Sequence, residues 1–272
     1  MSGREPAKRV AWVTDPHLDH LTPERVHRFL AELRAARPDA LLLGGDIGQA
    51  TNVELFLRQL AKDSPFHIYF VLGNHDYYYG SFSDVEYRMR HLMHEVRNLH
   101  WLPETGVVRL SPRTALVGSG GWADARHGEF MMSPVQLNDY ALIEDLSPLN
   151  QAALAFRLNE LGDRSARELR MVLPDALEHH EHVLVLMHVP PFKEACWHGG
   201  KPGNDDWLPH FTCAAAGQAL VEAAERYPNR RLTVLCGHTH GEAYTQIRPN
   251  LQVKTGGAEY GAPRIAAMIN VT

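Results

Sequence analysis

At 272 residues, 44% of them hydrophobic, the chain is long enough to bury one sizeable core. Its 27 basic and 32 acidic residues leave a formal net charge of −5, and no lysine or arginine run supplies an electrostatic footprint for long nucleic acid. No apolar stretch is long enough to span a bilayer as a helix. The opening MSGREPAKRVAWVTD lacks the apolar centre of a signal peptide, and Cys196, Cys213 and Cys236 stand apart without a CxxC pair. The expectation is a cytoplasmic protein with free thiols in a reducing compartment.

In chain order, short apolar runs alternate with helical spacing. Residues 9–14 (RVAWVT) read as a strand. Residues 23–36 read as a helix, with Val26, Phe29, Leu30 and Leu33 on one face and Thr22-Pro23 as cap and first turn. Residues 40–43 form a second strand before Gly44-Gly45-Asp46, and 52–62 a helix. A third strand over 66–72 includes His67 and ends in Gly73-Asn74-His75-Asp76; a third helix spans 83–95. Residues 107–110 and 114–118 suit a hairpin about Ser111-Pro112-Arg113, and 121–149 is irregular. Residues 150–178 are mostly helical, with a break expected at Gly162-Asp163. A strand over 183–187 leads to His188, 213–226 is a helix, and 232–236 is the strand before Gly237-His238-Thr239-His240-Gly241. Residues 243–248, 252–255 and 264–270 close the chain as strands, so a mixed sheet is expected. No repeat or linker interrupts this. The chain reads as one α/β domain over 1–272, with a lid or insertion around 121–165.

Five of these strands end in side chains of metal-ligand type: Asp15 and His17, Asp46, Asn74 and His75, His188, and His238 with His240. Ligands collect at the carboxyl ends of strands in α/β sheets, and the glycines at 44, 45, 73, 237 and 241 suit sharp turns there. Oxygen and imidazole nitrogen without thiolate fit Mn²⁺, Fe²⁺/Fe³⁺ or Zn²⁺. Even seven of these groups would exceed the need of one ion, and a carboxylate such as Asp46 can bridge two ions roughly 3.5–4 Å apart.

The series Asp15-Pro16-His17, Gly45-Asp46, Gly73-Asn74-His75-Asp76, His188 and Gly237-His238-Thr239-His240 resembles the calcineurin-like metallophosphoesterase family, whose motifs run DxH, GD, GNH[DE], H and GHxH in this order. The resemblance spans most of the chain. It implies a four-layer α/β/β/α sandwich with two mixed sheets. It implies two divalent ions, one on Asp15, His17, Asp46 and His240, the other on Asp46, Asn74, His188 and His238. It implies hydrolysis of a phosphoester by a metal-bridging hydroxide, with His75 as the catalytic non-ligand that stabilises the transition state and protonates the leaving group. One departure is informative. The Ser/Thr protein phosphatases of the superfamily carry GDxVDRG, whereas this chain has Gly45-Asp46-Ile47-Gly48-Gln49, so that activity is not expected.

Several residues admit a plainer reading. Asp19 and His20 suit loop residues beside the site. His179, His180 and His182 suit structural or solvated positions at a helix end, where imidazole meets the helix dipole favourably. Two aromatic-rich stretches are candidates for substrate contact: 121–139, offering Trp122, Arg126 and His127, and 190–210, offering Trp197, His198 and Trp207. Aromatic rings can stack on a base, so the expected substrate is a small phosphodiester or nucleotide-type molecule. A phosphomonoester uses the same metal core and stays open, as does a metal-binding scaffold or regulatory protein without turnover. Oligomeric state is not readable.

Overall fold

A computed structural model describes residues 9–62 and 64–271. The reading of residues 1–8 as lacking a signal peptide lies outside them. The first half runs β1 (Arg9–Val13), α1 (Pro23–Ala35), β2 (Ala40–Gly44), α2 (Val53–Ala61), β3 (His67–Val71), α3 (Phe82–Glu95), β4 (Leu99–Trp101) and the single turn α4 (Leu102–Thr105). There follow β5 (Val108–Arg109), β6 (Thr114–Gly118), α5 (Asp139–Leu142), α6 (Gln151–His179) and β7 (His182–Leu186). The chain closes with β8 (Trp197–His198), β9 (Lys201–Pro202), α7 (Leu208–Phe211), α8 (Ala214–Arg226), β10 (Arg231–Cys236), β11 (Ala243–Arg248), β12 (Leu251–Thr255) and β13 (Ala267–Asn270).

Two mixed sheets result. One has the order β13-β1-β2-β3-β4, parallel except for β13; the other has the order β11-β12-β10-β7-β6-β5, with β11 and β5 antiparallel at its edges. Side-chain alternation along each strand decides the layers. Ala11, Val13, Leu41, Leu43, Ile68 and Phe70 pack under α1, α2 and α3. Their neighbours Val10, Trp12 and Leu42 face the other way and meet Leu116, Leu184, Leu186 and Leu235 between the sheets. Val117, Val183, Val185 and Val234 then pack against Leu169 and Leu173 of α6 and Leu220 of α8. This is the α/β/β/α sandwich. Strands buried on both faces read as unbroken apolar runs, as ALLLG and HVLVL do.

Two local expectations are corrected. No break occurs at Gly162-Asp163: α6 is one 29-residue helix, started by the Asn150 side chain accepting from Ala153 N–H. Gly162 is small for a different reason, since a Cβ there would lie 2.4 Å from Cβ of Asp124. The three-residue β4 lies in a segment with no strand expectation, because three residues are too few to show alternation. The C-terminal strand begins at Ala267 rather than 264.

Candidate metal centre

The parallel strands β1, β2, β3, β7 and β10 deliver their carboxyl-end loops to one place. Asp15 N–H donates to Gly45 O (3.1 Å), Gly237 N–H to His188 O (2.9 Å), and His238 N–H to Asp15 Oδ1 (2.9 Å), so loops from both sheets are tied together. Five expected ligands, Asp15, His17, Asp46, His238 and His240, have φ between 41° and 68°. That left-handed region is costly for non-glycine residues and persists where surrounding structure over-determines it, which marks functional sites. The turning is therefore done largely by the ligands. Gly73 and Gly237 are small for approach: a Cβ at Gly237 would lie 1.9 Å from Asp15 Oδ2, and one at Gly73 would lie 2.2 Å from Asp46 Oδ1.

Asp15, His17, Asp46 and His240 each place one ligand-type atom within 4.8 Å of the others. His17 Nε2 is 3.1 Å from His240 Nε2 and 3.7 Å from Asp46 Oδ2, and His240 Nε2 is 3.6 Å from Asp15 Oδ1. Ligand atoms at ~2.0–2.2 Å from one ion sit about 3–3.5 Å from one another, so these separations suit a shared cation. Deeper in, His188 Nδ1 donates to Gly44 O at 2.9 Å. Its Nε2 is thereby left as a lone pair, 3.0 Å from Asn74 Oδ1 and 3.4 Å from Asp46 Oδ1. His238 Nε2 lies 3.3 Å from His210 O, and its ring meets that of His188 at 5.0 Å. Imidazoles that hold a metal commonly donate their other N–H to a carbonyl in this way.

Electrostatics favour the same conclusion. Burial pushes Asp15 up to about 7, against hydrogen bonds from Thr14 and His238 that lower it. Asp46 is raised well above the usual carboxylate range, by burial first and then by Asp15 and Asp76. Burial, aided by neighbouring imidazoles, lowers His17 and His188, and holds His238 and His240 at about 4. Carboxylates that repel one another thus face imidazoles that resist becoming cations, and the lone pairs of His188 Nε2 and Asn74 Oδ1 face one another at 3.0 Å. A divalent cation resolves both conflicts, so the residues fit the ions that the sequence implies.

His75 stands beside these groups. Its ring stacks on Tyr78 (4.3 Å, 26°) and meets His17 edge-on at 4.7 Å; its backbone N–H donates to Asp46 Oδ1 at 3.0 Å. Burial first, then His238 and His240, lowers its pKa to about 3. The adjacent Asp76 does not orient it, because both carboxylate oxygens accept backbone N–H groups, from Ile47, Gly48 and Gly73, at 2.9 Å. Three residues absent from the sequence-based candidates complete the surroundings. Asp139 accepts from Asn74 and Tyr78, and Tyr260 lays its ring against His17, His20 and His240. None carries a motif signal, since each comes from a segment without regular spacing.

A cavity of about 490 Å³ opens onto the centre, lined among others by Asp46, His75, His240, His198, Lys201, Trp207, Phe211 and Tyr260. Of the expected substrate contacts, His198 and Trp207 line it. Trp122, Arg126, His127 and Trp197 do not. Trp122 is buried edge-on against Phe82 and Tyr77; Arg126 pairs with Asp124 and Asp163; His127 bonds Thr212. Trp197 donates to Glu194 O, while the neighbouring His198 turns to Thr239 O. From the 121–139 stretch only its last residues, Gln136 to Asp139, reach the cavity.

The chain matches the family model of calcineurin-like phosphoesterases over residues 8–242. Comparison with curated proteins finds no significant match. Among solved structures the fold is similar to that of phosphopantetheinyl hydrolase (PptH) from Mycobacterium tuberculosis, at 16% identity and a TM-score of 0.65 over 94% of this chain and 90% of that one. It is also similar to a dimetal phosphatase from Danio rerio, at 12% identity and a TM-score of 0.56 over 93% and 88%. Identities this low speak to the fold alone. The family match and the buried Asp/His cluster speak to the chemistry: this chain belongs to the calcineurin-like phosphoesterases and is a metal-dependent phosphoesterase.

Proposed function

We propose that the protein hydrolyses a small phosphodiester or nucleotide-type phosphoester at two adjacent divalent ions. The observation that carries the dinuclear reading is the placement of Asp46: Oδ2 faces His17 at 3.7 Å, whereas Oδ1 faces His188 at 3.4 Å. One carboxylate thus lies between two donor sets, Asp15, His17 and His240 on one side, Asn74, His188 and His238 on the other. Bound there, Mn²⁺, Fe²⁺/Fe³⁺ or Zn²⁺ supplies charge to neutralise the ester's oxygens and acidify an attacking water.

The chain's own residues do the rest. Asp15 and Asp46 hold their carboxylates on backbone N–H groups, so they need not reorganise during reaction. His75 lines the cavity, and its role is to stabilise the transition state by an N–H hydrogen bond to a phosphoryl oxygen and to serve the leaving oxygen as proton donor. Rings run outward from the centre, with Phe211 at 4.8 Å from His238 and Trp207 at 5.5 Å from Phe211. Trp207 is 48% exposed on the cavity wall, where a flat leaving group could stack. Among the described residues no helix is long and apolar enough to cross a membrane; with three buried free thiols, this accords with a cytoplasmic setting.

The test is bound-metal content together with Mn²⁺-dependent hydrolysis of p-nitrophenyl phosphate and bis-p-nitrophenyl phosphate, with Asp46→Asn as control. About two ions per chain, faster cleavage of the diester and loss of both ions in the variant are expected. Preference for the monoester would move the assignment to phosphomonoesterase. A single ion would end the dinuclear reading.

A further inference from the structure

The irregular stretch before α6 sends one buried carboxylate into the centre. Asp139 lies 65 residues from Asn74, yet its Oδ1 accepts from Asn74 Nδ2 at 2.8 Å and from the Tyr78 hydroxyl at 2.6 Å. A carboxamide can present either its oxygen or its nitrogen, and only its surroundings decide which. Asp139 Oδ1 is the acceptor in both bonds. Turning Asn74 round would press its oxygen against Asp139 Oδ1 and leave Asp139 without that donor. Held as it is, Asn74 directs Oδ1 toward His188 Nε2 at 3.0 Å, on the side of Asp46. The hold extends further, because the hydroxyl that Asp139 fixes belongs to the ring stacked on His75 at 4.3 Å.

We propose that Asp139 is a positioning residue for the second metal site: it sets the Asn74 carboxamide oxygen toward the ion and, through Tyr78, the ring of His75. This rests on Asn74 being a ligand in the dinuclear reading. The hydrogen bond alone orders the amide, so any side chain presenting an acceptor oxygen at this point should serve.

The experiment is calorimetric titration of Mn²⁺ alone into the full-length, metal-stripped chain, with circular dichroism and thermal melting alongside. Wild type takes up two equivalents. In Asp139→Ala the equivalent held by Asp15, His17, Asp46 and His240 keeps its Kd, and the other weakens roughly 10–100-fold, as loss of a group supporting a metal ligand commonly causes. Asp139→Asn, which keeps an acceptor oxygen, recovers most of that loss. The proposal is overturned if Asp139→Ala binds both equivalents as wild type does, if both weaken alike with a lower melting temperature, or if Asp139→Asn is as weak as Asp139→Ala. Should Asp139→Ala fail to fold, hydrogen exchange of the Asn74 side-chain amide in metal-free wild type decides: protection supports the bond to Asp139, and exchange at the rate of a free amide overturns it. Uptake of fewer than two equivalents by wild type would instead show that the dinuclear reading itself has failed.

Discussion

Two histidine groups look alike in the sequence and differ in everything the fold does with them. His179, His180 and His182 cluster at the end of α6 and the start of β7; His238 and His240 follow β10. Strands β7 and β10 are parallel, with His182 beside Arg231 and Leu186 beside Leu235, so the two groups occupy opposite ends of one sheet. At the amino end each imidazole finds an ordinary protein partner. His179 meets Asp175 within its own helix turn, His180 bonds Ala176 O, and His182 lies between Thr233 and Arg231. At the carboxyl end the imidazoles are packed on acceptors and on one another, in left-handed backbone, around carboxylates that burial keeps from ionising freely. Histidine density does not distinguish a structural cluster from a metal site. Whether the ring nitrogens converge on buried carboxylates and on other acceptors does.

The comparison breaks most visibly at His238. Replacing it by Ala should remove one ion and several kcal/mol of transition-state charge stabilisation, roughly 10³-fold or more in kcat/KM, measured with metal content on the same sample. Retained activity with two ions would show that this end is no different from the other. His75→Ala should lower kcat by about 10²-fold or more while both ions stay bound, since His75 is expected to touch substrate rather than metal. Coincident loss of an ion would make it a ligand instead.

Acidity sharpens the contrast. Burial pushes Asp15 in the ion-free protein up to about 7, and Asp46 is raised as well, so at acid pH an incoming cation must displace carboxylate protons. Mn²⁺ affinity should rise by up to about tenfold per pH unit for each carboxylate proton displaced on going from pH 5.5 toward 7. Calorimetry in buffers of different protonation enthalpy would register the proton release, and a flat profile would mean that no carboxylate proton is exchanged. The smallest effect belongs to the amino-end cluster. His182→Ala loses its hydrogen bonds to Thr233 and Arg231 and should cost about 1–2 kcal/mol of stability with metal content and turnover unchanged, read from denaturant melts.

The legibility of this molecule follows the range of the forces involved. The alternation of apolar runs and the polar triplets that end them are local, so β1, β2, β3, β7 and β10 and their seven candidate ligands are visible in one dimension. The same reading misplaced Trp122, Arg126 and His127, because an aromatic or charged residue in an irregular stretch carries no sign of which way it faces. Trp122 turns inward to Phe82, and Arg126 turns to Asp124 and Asp163. Glycine was read as a turn signal, and at Gly45 (φ 88°) it is one; at Gly73 and Gly237 the carboxylates of Asp46 and Asp15 occupy the space of the missing Cβ.

The sequence by itself determined the family, the layered α/β architecture and the set of groups brought to the strand ends, because strand periodicity and short motifs are properties of neighbours in the chain. Only the tertiary structure decided that the two oxygens of Asp46 face His17 and His188 separately, that Asp76 serves the backbone instead of His75, and that Asp139, Tyr78 and Tyr260 join the centre. Those are contacts between segments tens to hundreds of residues apart. They exist because two sheets pack face to face and bring their loop-bearing edges within hydrogen-bond reach.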